Sequence, residues 1–315
     1  MFHIIINPAS RSGRGRLIWE ETVQPALVEK DVSYNAYFSE KPGDVAQLVR
    51  YVTKTFPGTA KNPCRVIILG GDGTVNETMQ GIDEFSHVIL GYIPTGSSND
   101  LARDLGISKE PSEALAHILA SVDNPECIRL MDRGVTQSAL GERSFAVSCG
   151  LGFDAAVCEE ALHSKLKDTL NRLKLGKLTY LGIALKQLFA AKRVSCDLYL
   201  DDAKEPIHIK KILFLTAMNH RYEGGGFKFC PDADDTDGLL DLCVAGGLPK
   251  LVVLFALPTA FFGKHFIFPG INHYLAKKIR VETSTPLWLH TDGEVHQKTN
   301  QLTAYCIRQN IRFIV

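Results

Sequence analysis

Residues 70–77 read Gly-Gly-Asp-Gly-Thr-Val-Asn-Glu and follow directly on the apolar run Cys64-Arg-Val-Ile-Ile-Leu69. The pattern is that of a buried strand ending in flexible, acid-bearing backbone. Gly70, Gly71 and Gly73 permit a tight turn in which amide N–H groups converge on an anion. The residues beyond them can open a helix whose N-terminus also favours negative charge. Asp72 lies inside that turn, and its carboxylate would repel phosphate oxygens unless a divalent cation lay between them, so the turn implies Mg²⁺ as well as phosphate. A plain glycine-rich strand-to-helix turn with solvent-facing acids fits the same residues, and only the neighbouring loops separate the two readings.

The second loop is Gly91-Tyr-Ile-Pro-Thr-Gly-Ser-Ser-Asn-Asp100, again after an apolar run, His87-Val-Ile-Leu90. Pro94 ends regular pairing and Gly96 frees the backbone. Ser97, Ser98, Asn99 and Asp100 then offer hydroxyl, amide and cap groups ahead of Leu101-Ala-Arg-Asp-Leu105. The third lies at the start of the chain, where Phe2-His-Ile-Ile-Ile6 runs into Asn7-Pro8 and the basic, hydroxyl-rich Ser10-Arg-Ser-Gly-Arg-Gly15. Ligand sites of open α/β sheets collect outside the carboxyl ends of strands, so three such loops predict one nucleotide cleft. The sequence argues against an ordinary P-loop ATPase or Rossmann dehydrogenase, because neither Gly-x-x-x-x-Gly-Lys-[Ser/Thr] nor a Gly-x-Gly-x-x-Gly strand–helix unit occurs. The protein-kinase motifs are absent as well.

With 315 residues the chain is long enough for two cores. Lys+Arg and Asp+Glu both total 35, so no global basic field argues for nucleic acid. The eight cysteines include no Cys-x-x-Cys pair and are scattered among apolar residues, a spacing that reads as core rather than zinc chemistry. No secretory leader pattern precedes the Asn7 loop, and a reducing cytoplasm is the expected setting.

Hydrophobic patterning predicts strands at 2–6, 33–38, 64–69 and 87–93, alternating with helices at 15–30, 43–56 and 74–82. A closing helix follows at 112–120. This is βα repetition with a mainly parallel sheet. After Asn124-Pro125 the rhythm changes, with strand character at 127–133, 143–150, 194–201, 207–217, 239–245, 277–284, 286–290 and 302–308. Helical patterns at 162–175 and 178–191, with Gly176 between them, interrupt this sheet-rich part. Lys165, Lys167, Arg172, Lys174, Lys177, Lys186, Lys192 and Arg193 decorate the insertion, as a solvated face or as a surface for anionic headgroups. Leu251–Phe262 is strongly apolar but broken by Pro258 before it reaches the roughly 20 residues of a membrane span, which leaves buried core or interfacial lipid contact.

Taken together, Asn7-Pro8 with its Ser/Gly loop, Gly70–Glu77, Pro94-Thr-Gly-Ser-Ser-Asn-Asp-Leu-Ala-Arg103, Pro231-Asp-Ala-Asp-Asp-Thr-Asp-Gly-Leu-Leu-Asp241 and Asp292-Gly-Glu294 resemble the diacylglycerol kinase catalytic family. That family includes bacterial lipid kinases and sphingosine-kinase-like proteins, and the resemblance spans nearly the whole chain. It implies an α/β N-terminal domain with a mainly parallel sheet and a C-terminal β-rich, sandwich-like domain, an architecture of NAD-kinase/diacylglycerol-kinase type. The nucleotide-binding domain would be 1–126, with 303–315 as the strand that returns to it. The lipid-substrate domain would be 127–302, with its helical insertion around 160–193, and the two would enclose an interdomain cleft.

The resemblance also assigns roles. ATP would be surrounded by Asn7, Ser10, Gly70, Gly71, Gly73, Thr74, Glu77, Gly96, Ser97 and Asn99, with Ser97 standing where the family commonly has Thr. Asp72 would organise catalytic Mg²⁺, and Glu294 would orient metal or nucleotide. Asp292 would be the base, emerging after the strand-like Leu287-Trp-Leu-His290, although Asp-Gly is equally a hairpin-turn signature. Asp237 would hold a second, structural Mg²⁺ with the carbonyls of Asp234 and Leu239. The implied activity is ATP- and Mg²⁺-dependent phosphorylation of a membrane lipid, diacylglycerol first. Phosphatidylglycerol, a sphingoid base, NAD, or lipid binding without catalysis stay open. The expected partners are the lipid substrate and an anionic bilayer surface, with no nucleic acid, and a homodimer is left open. The expected location is cytoplasmic, peripherally associated with the membrane.

Overall fold

A computed structural model describes residues 1–139, 141–163 and 176–315. By contact the chain divides into two units, Met1–Arg133 with Ile307–Val315, and Gly134–Cys306.

In the first unit, β1 (Phe2–Ile6), β2 (Tyr34–Phe38), β3 (Cys64–Gly70) and β4 (Val88–Pro94) form a parallel sheet in the order β2-β1-β3-β4. Ile4 pairs with Ala36 on one side and Ile67 on the other, and Ile67 pairs with Gly91. Such near-continuous apolar strands need cover on both faces. Helices Gln24–Glu29 and Pro111–Ser121 supply it on one face, where Leu27, Leu115 and Ile118 pack against Ile4, Ile6, Ile67, Leu69 and Ile93. Helices Asp44–Thr55 and Asp72–Gly81 pack against each other, with Val45, Val49, Val52, Val75 and Met79 buried. Gly91 leaves room for Ile118, because a Cβ there would meet that side chain at 3.0 Å.

The second unit is antiparallel. Its strands are the later part of β5 (Ile128–Ser138), β6 (Gly141–Phe145), β7 (Ser148–Gly152), β8 (Val194–Leu200), β9 (Ile207–Met218), β10 (Leu240–Gly246), β11 (Ile271–Ala276), β12 (Lys278–Thr291) and the first part of β13 (Glu294–Ile314). The order β11-β10-β9-β7-β12-β13 is doubled by β8, which pairs with both β9 and β12. The sheet folds over its own apolar face, closing a core of Phe145, Leu151, Leu198, Leu215, Leu242, Val281, Leu289 and Leu302. This is the sandwich-like arrangement expected for such a β-rich domain.

Several local expectations change. The segment 143–150 divides between β6 and β7. The pieces at 277–284 and 286–290 are one strand, β12, because a register shift between Glu282 and Leu287 accommodates Pro286 without ending the ladder. β11 was not expected at all. Of the predicted helix 162–175, the first two residues end a helix Phe153–His163, and the rest, with the basic residues Lys165, Lys167, Arg172 and Lys174, lies outside the described residues, as does the side chain of Lys177; the later helix runs Gly176–Ala190. The apolar segment becomes helix Lys250–Ala260, which buries Val253, Ala256 and Ala260 and exposes Leu251 and Phe255.

Candidate active site

The parallel strands β1, β3 and β4 end side by side, and their three polar loops are tied to one another. Asn7 Nδ2 donates to Thr74 Oγ1 (3.1 Å), while the Ser10 and Thr95 hydroxyls share a 2.8 Å hydrogen bond. Thr95 N–H donates to the Gly70 carbonyl (2.6 Å), and Gly71 N–H reaches Thr74 Oγ1 (3.3 Å). A Cβ on Gly71 would lie 2.9 Å from Gly96 Cα, and one on Gly96 would lie 2.6 Å from Gly71 Cα. Only glycine at both positions lets these two loops meet backbone to backbone. Asn99 holds the Gly96 turn closed from a left-handed conformation (φ 50°, ψ 51°), accepting from Gly96 N–H (2.9 Å) and donating to its carbonyl (3.0 Å). The buried Tyr92 hydroxyl donates to the same Asn99 oxygen (3.3 Å).

Asp72 is the first residue of helix Asp72–Gly81. Its carboxylate accepts from the N–H groups of Asp100 (3.0 Å) and Leu101 (3.4 Å), at the start of helix Asp100–Leu105. One acid therefore links the β3 and β4 loops through charge-assisted hydrogen bonds. Asp100 itself is buried and paired with Arg103 at 2.8 Å. Glu77 sits elsewhere: it accepts from Gly43 N–H (3.0 Å) and Val45 N–H (3.2 Å), satisfying amides at the start of helix Asp44–Thr55. Ser97 is exposed on the Gly96 loop.

These residues fit a phosphorylated ligand with its cation. Close-approaching glycines, hydroxyls and an Asp carboxylate of hard oxygen donors are the groups that Mg²⁺ and phosphate require.

In the second unit, Asp292 and Gly293 form the two-residue turn between β12 and β13, both with positive φ (49° and 82°), and Thr291 pairs with Glu294 across it. This is the geometry that Asp-Gly hairpins favour. The Asp292 side chain is gripped as well: its carboxylate accepts from the N–H groups of Ala146 (3.0 Å), Val147 (2.8 Å) and Ser148 (3.0 Å).

Sequence reasoning missed what stands behind this turn. His290, fully buried, places Nε2 3.2 Å from both Asp154 Oδ2 and Glu223 Oε1. Burial opposes a charge on this ring, but Glu223, the Asp154 hydrogen bond and charge, and Asp292 outweigh it and raise its pKa to about 9. The Gly293 N–H points at Nδ1 (3.1 Å) and can donate only to a ring unprotonated there, so the acids and the turn pull His290 in opposite directions. Gly150 makes the cluster possible, since a Cβ there would fall 2.0 Å from Asp154 Oδ2 and 2.2 Å from His290 Nε2. The signal was faint, a His two residues ahead of an Asp-Gly turn. His296, bonded to Thr291 Oγ1 at 2.8 Å, has its pKa pushed down to about 4 by burial and by the nearby charges of Arg143 and His290.

Asp234 and Asp237 lie exposed in the loop before β10. Each carboxylate accepts from an amide two residues ahead, Thr236 N–H at 2.9 Å and Leu239 N–H at 2.8 Å. Loop turns of this kind leave lone pairs and carbonyls for a hard cation.

Comparison with known proteins places these units. The profile of the diacylglycerol kinase catalytic domain matches residues 1–126, and that of the YegS C-terminal NAD kinase beta sandwich-like domain matches residues 147–314. The chain belongs to the diacylglycerol kinase catalytic family. Its kinase catalytic domain makes it an enzyme of the phosphotransferase class. A diacylglycerol kinase of Mycobacterium tuberculosis is 31% identical over 226 residues, covering 71% of this chain and 68% of that protein. A crystal structure of a Bacillus anthracis diacylglycerol kinase has the same fold, with a TM-score of 0.69 at 19% identity over 99% of this chain and 96% of the other. An NAD kinase from Archaeoglobus fulgidus in complex with ATP is more distant in fold, with a TM-score of 0.54 at 13% identity over 100% and 94%. Among the described residues of this kinase-family chain, no helix is long and apolar enough to cross a membrane.

Proposed function

We propose that this kinase transfers the γ-phosphoryl group of ATP to the free hydroxyl of diacylglycerol, giving phosphatidic acid. The observation that carries this reading is that the catalytic-domain match covers the three loops that Asn7, Ser10, Asp72 and Thr95 tie together at the ends of β1, β3 and β4. In the first unit, Asn7, Gly70–Thr74 and Gly96–Asn99 hold the phosphates, and Ser10 and Thr95 set the spacing of the loops. Asp72 holds Mg²⁺ while keeping the Asp100–Leu105 helix in place. Bound Mg²⁺ supplies charge neutralisation at the phosphate oxygens. The second unit supplies Asp292, held in one orientation by three amides, as acceptor of the lipid hydroxyl proton. The hydroxyl oxygen bonds to the γ-phosphorus, the β–γ bridging bond breaks, and ADP leaves. Asp237, with carbonyls at Asp234 and Leu239, is the candidate holder of a second Mg²⁺. Glu294 is assigned to metal or nucleotide orientation, whereas Glu77 is assigned here to the Asp44–Thr55 helix end.

A lipid panel in mixed micelles with radiolabelled ATP tests the reading. Phosphatidic acid should be the dominant product. Phosphorylation of phosphatidylglycerol or a sphingoid base would move the acceptor, and phosphorylated NAD without lipid product would overturn the lipid assignment.

Access to such a substrate requires a surface that meets a bilayer. Leu251, Phe255, Phe262 and Ile267 are exposed over and beyond helix Lys250–Ala260, which supports peripheral membrane contact by apolar side chains. Sedimentation with lipid vesicles should fall for Phe255→Ser and Phe262→Ser together, with Tm unchanged. Equal sedimentation would assign this surface to another purpose.

A further inference from the structure

The cysteines are scattered in sequence, yet the second unit gathers one of them with two other ligand-type side chains. On one face of the β10–β11 pair, Cys243 stands opposite His273, and Asp241 lies two residues along β10 on the same face. Cys230, from the preceding loop, is fully buried against this face, with its thiol directed at the Asp241 carbonyl at 3.4 Å. His273 Nε2 lies 2.7 Å from Asp241 Oδ1. One ligand atom from each of Cys230, Asp241 and His273 lies within 4.8 Å of the other two.

We propose that Cys230, Asp241 and His273 bind a single Zn²⁺ ion. One thiolate, one imidazole and one carboxylate form a mixed S, N, O set, which suits Zn²⁺ and is a poor host for Mg²⁺. Around a tetrahedral ion with ordinary zinc bond lengths these atoms would stand about 3.3–3.6 Å apart. Closing the site therefore needs the thiol to approach and the His273–Asp241 hydrogen bond to open, each by about an ångström or less. Both movements are accessible, because His273 is a solvent-facing residue on β11, the edge strand, and the buried Cys230 needs only a side-chain rotation to bring its thiol closer. The fourth position faces solvent beside His273 and takes water. Binding releases the Cys230 proton to solvent as the S–Zn bond forms. The site is distinct from the loop at Asp234 and Asp237, whose oxygens suit a hard cation.

The metal-free, reduced full-length chain, titrated with Co²⁺ as optical probe and then with Zn²⁺, tests the proposal. One equivalent of Co²⁺ should produce a thiolate-to-cobalt charge-transfer band that one equivalent of Zn²⁺ abolishes. Cys230→Ser and His273→Gln should each remove the band at that stoichiometry. His273→Gln, on an exposed edge, keeps the test readable if Cys230→Ser fails to fold. A wild-type chain without the band, or a band that survives in His273→Gln, overturns the proposal.

Discussion

The loops at the ends of β1, β3 and β4 and the turn at Asp292 are both polar, but they are built on opposite plans. Around the half-buried Asn7 and the buried Thr74, Thr95 and Asn99 the scaffold is made of neutral hydroxyls and amide side chains, and the acid Asp72 links two loops. Behind Asp292 it is made of ionisable groups, with His290 between Asp154 and Glu223 and three backbone amides committed to one carboxylate. The loop ties spend the N–H groups of Gly71, Thr95 and Gly96, and apart from Asp72 the acceptors are neutral hydroxyl, amide and carbonyl oxygens, which do not repel an anion as a carboxylate would. A device that orients one side chain can consume its amides, and His290 between Asp154 and Glu223 offsets part of the charge buried there.

The largest effect that would break this contrast is at Asp292. Asp292→Asn should cut phosphoryl transfer at saturating diacylglycerol by at least about 10²-fold. It should also cost about 1–3 kcal/mol of stability, since the new NH₂ must face N–H donors where an oxygen accepted. Near-normal turnover with a lowered Tm would make Asp292 an anchor for the turn and leave the second unit without its base. Next is Asp72→Ala, which frees the leading amides of helix Asp100–Leu105 and should abolish most of the Mg²⁺ dependence of ATP binding in calorimetric titration. Unchanged metal dependence would reduce Asp72 to a tie between loops. Gly150→Ala sharpens the comparison from the other side: overpacking the Asp154–His290 contact should cost about 1–3 kcal/mol in denaturant unfolding. ATP affinity should be unaffected, and a Tm equal to wild type would show that the cluster can rearrange.

The smallest expected effect is a dependence on pH. The folded-state pKa of His290, about 9, lies above the ordinary value of 6.5, so its contribution to stability is complete below pH 6.5 and is lost as pH rises toward 9. His296 works in the opposite direction. With its pKa held near 4, it withdraws stability as pH falls from 6.5 toward 4, because only the unfolded chain takes up the proton there. Urea unfolding between pH 6.5 and 9 should show the alkaline decline in the wild type and a flatter curve in His290→Gln. Superimposable curves would remove the charge from His290.

The first unit was largely readable from its residues, because each strand and its loop are contiguous and glycine, proline and hydroxyl residues act over a few positions. What escaped there was the partnership of Asp72 with Asp100 and Leu101, which depends on two loops meeting. In the second unit the readable part ended at element type. β11 escaped because Ile271-Asn-His-Tyr-Leu-Ala276 buries its two ends and leaves its middle toward solvent, which erases the alternation of a strand. The Asp292-Gly293 turn was visible, but its grip comes from amides 144–146 residues away, and Asp154 meets His290 across 136 residues. No local pattern encodes contacts of that range. Glu77 shows the reverse case, an acid adjoining a phosphate-type motif that faces a different helix.

β13 has a consequence for the order in which this protein can be made. Residues Ile307–Val315 belong to the first unit, where Phe313 pairs with Leu90 of β4 and, like Ile314, is buried. Gln309 N–H and Asn310 Oδ1 are held by Asp132 and Arg133. On a ribosome that emits the chain from its first residue, residues 1–133 emerge early and then wait, with the β4 edge unpaired, until the intervening 173 positions have been translated. Such a wait favours a helper that shields the open edge, and it makes the nascent first unit the stage most exposed to aggregation.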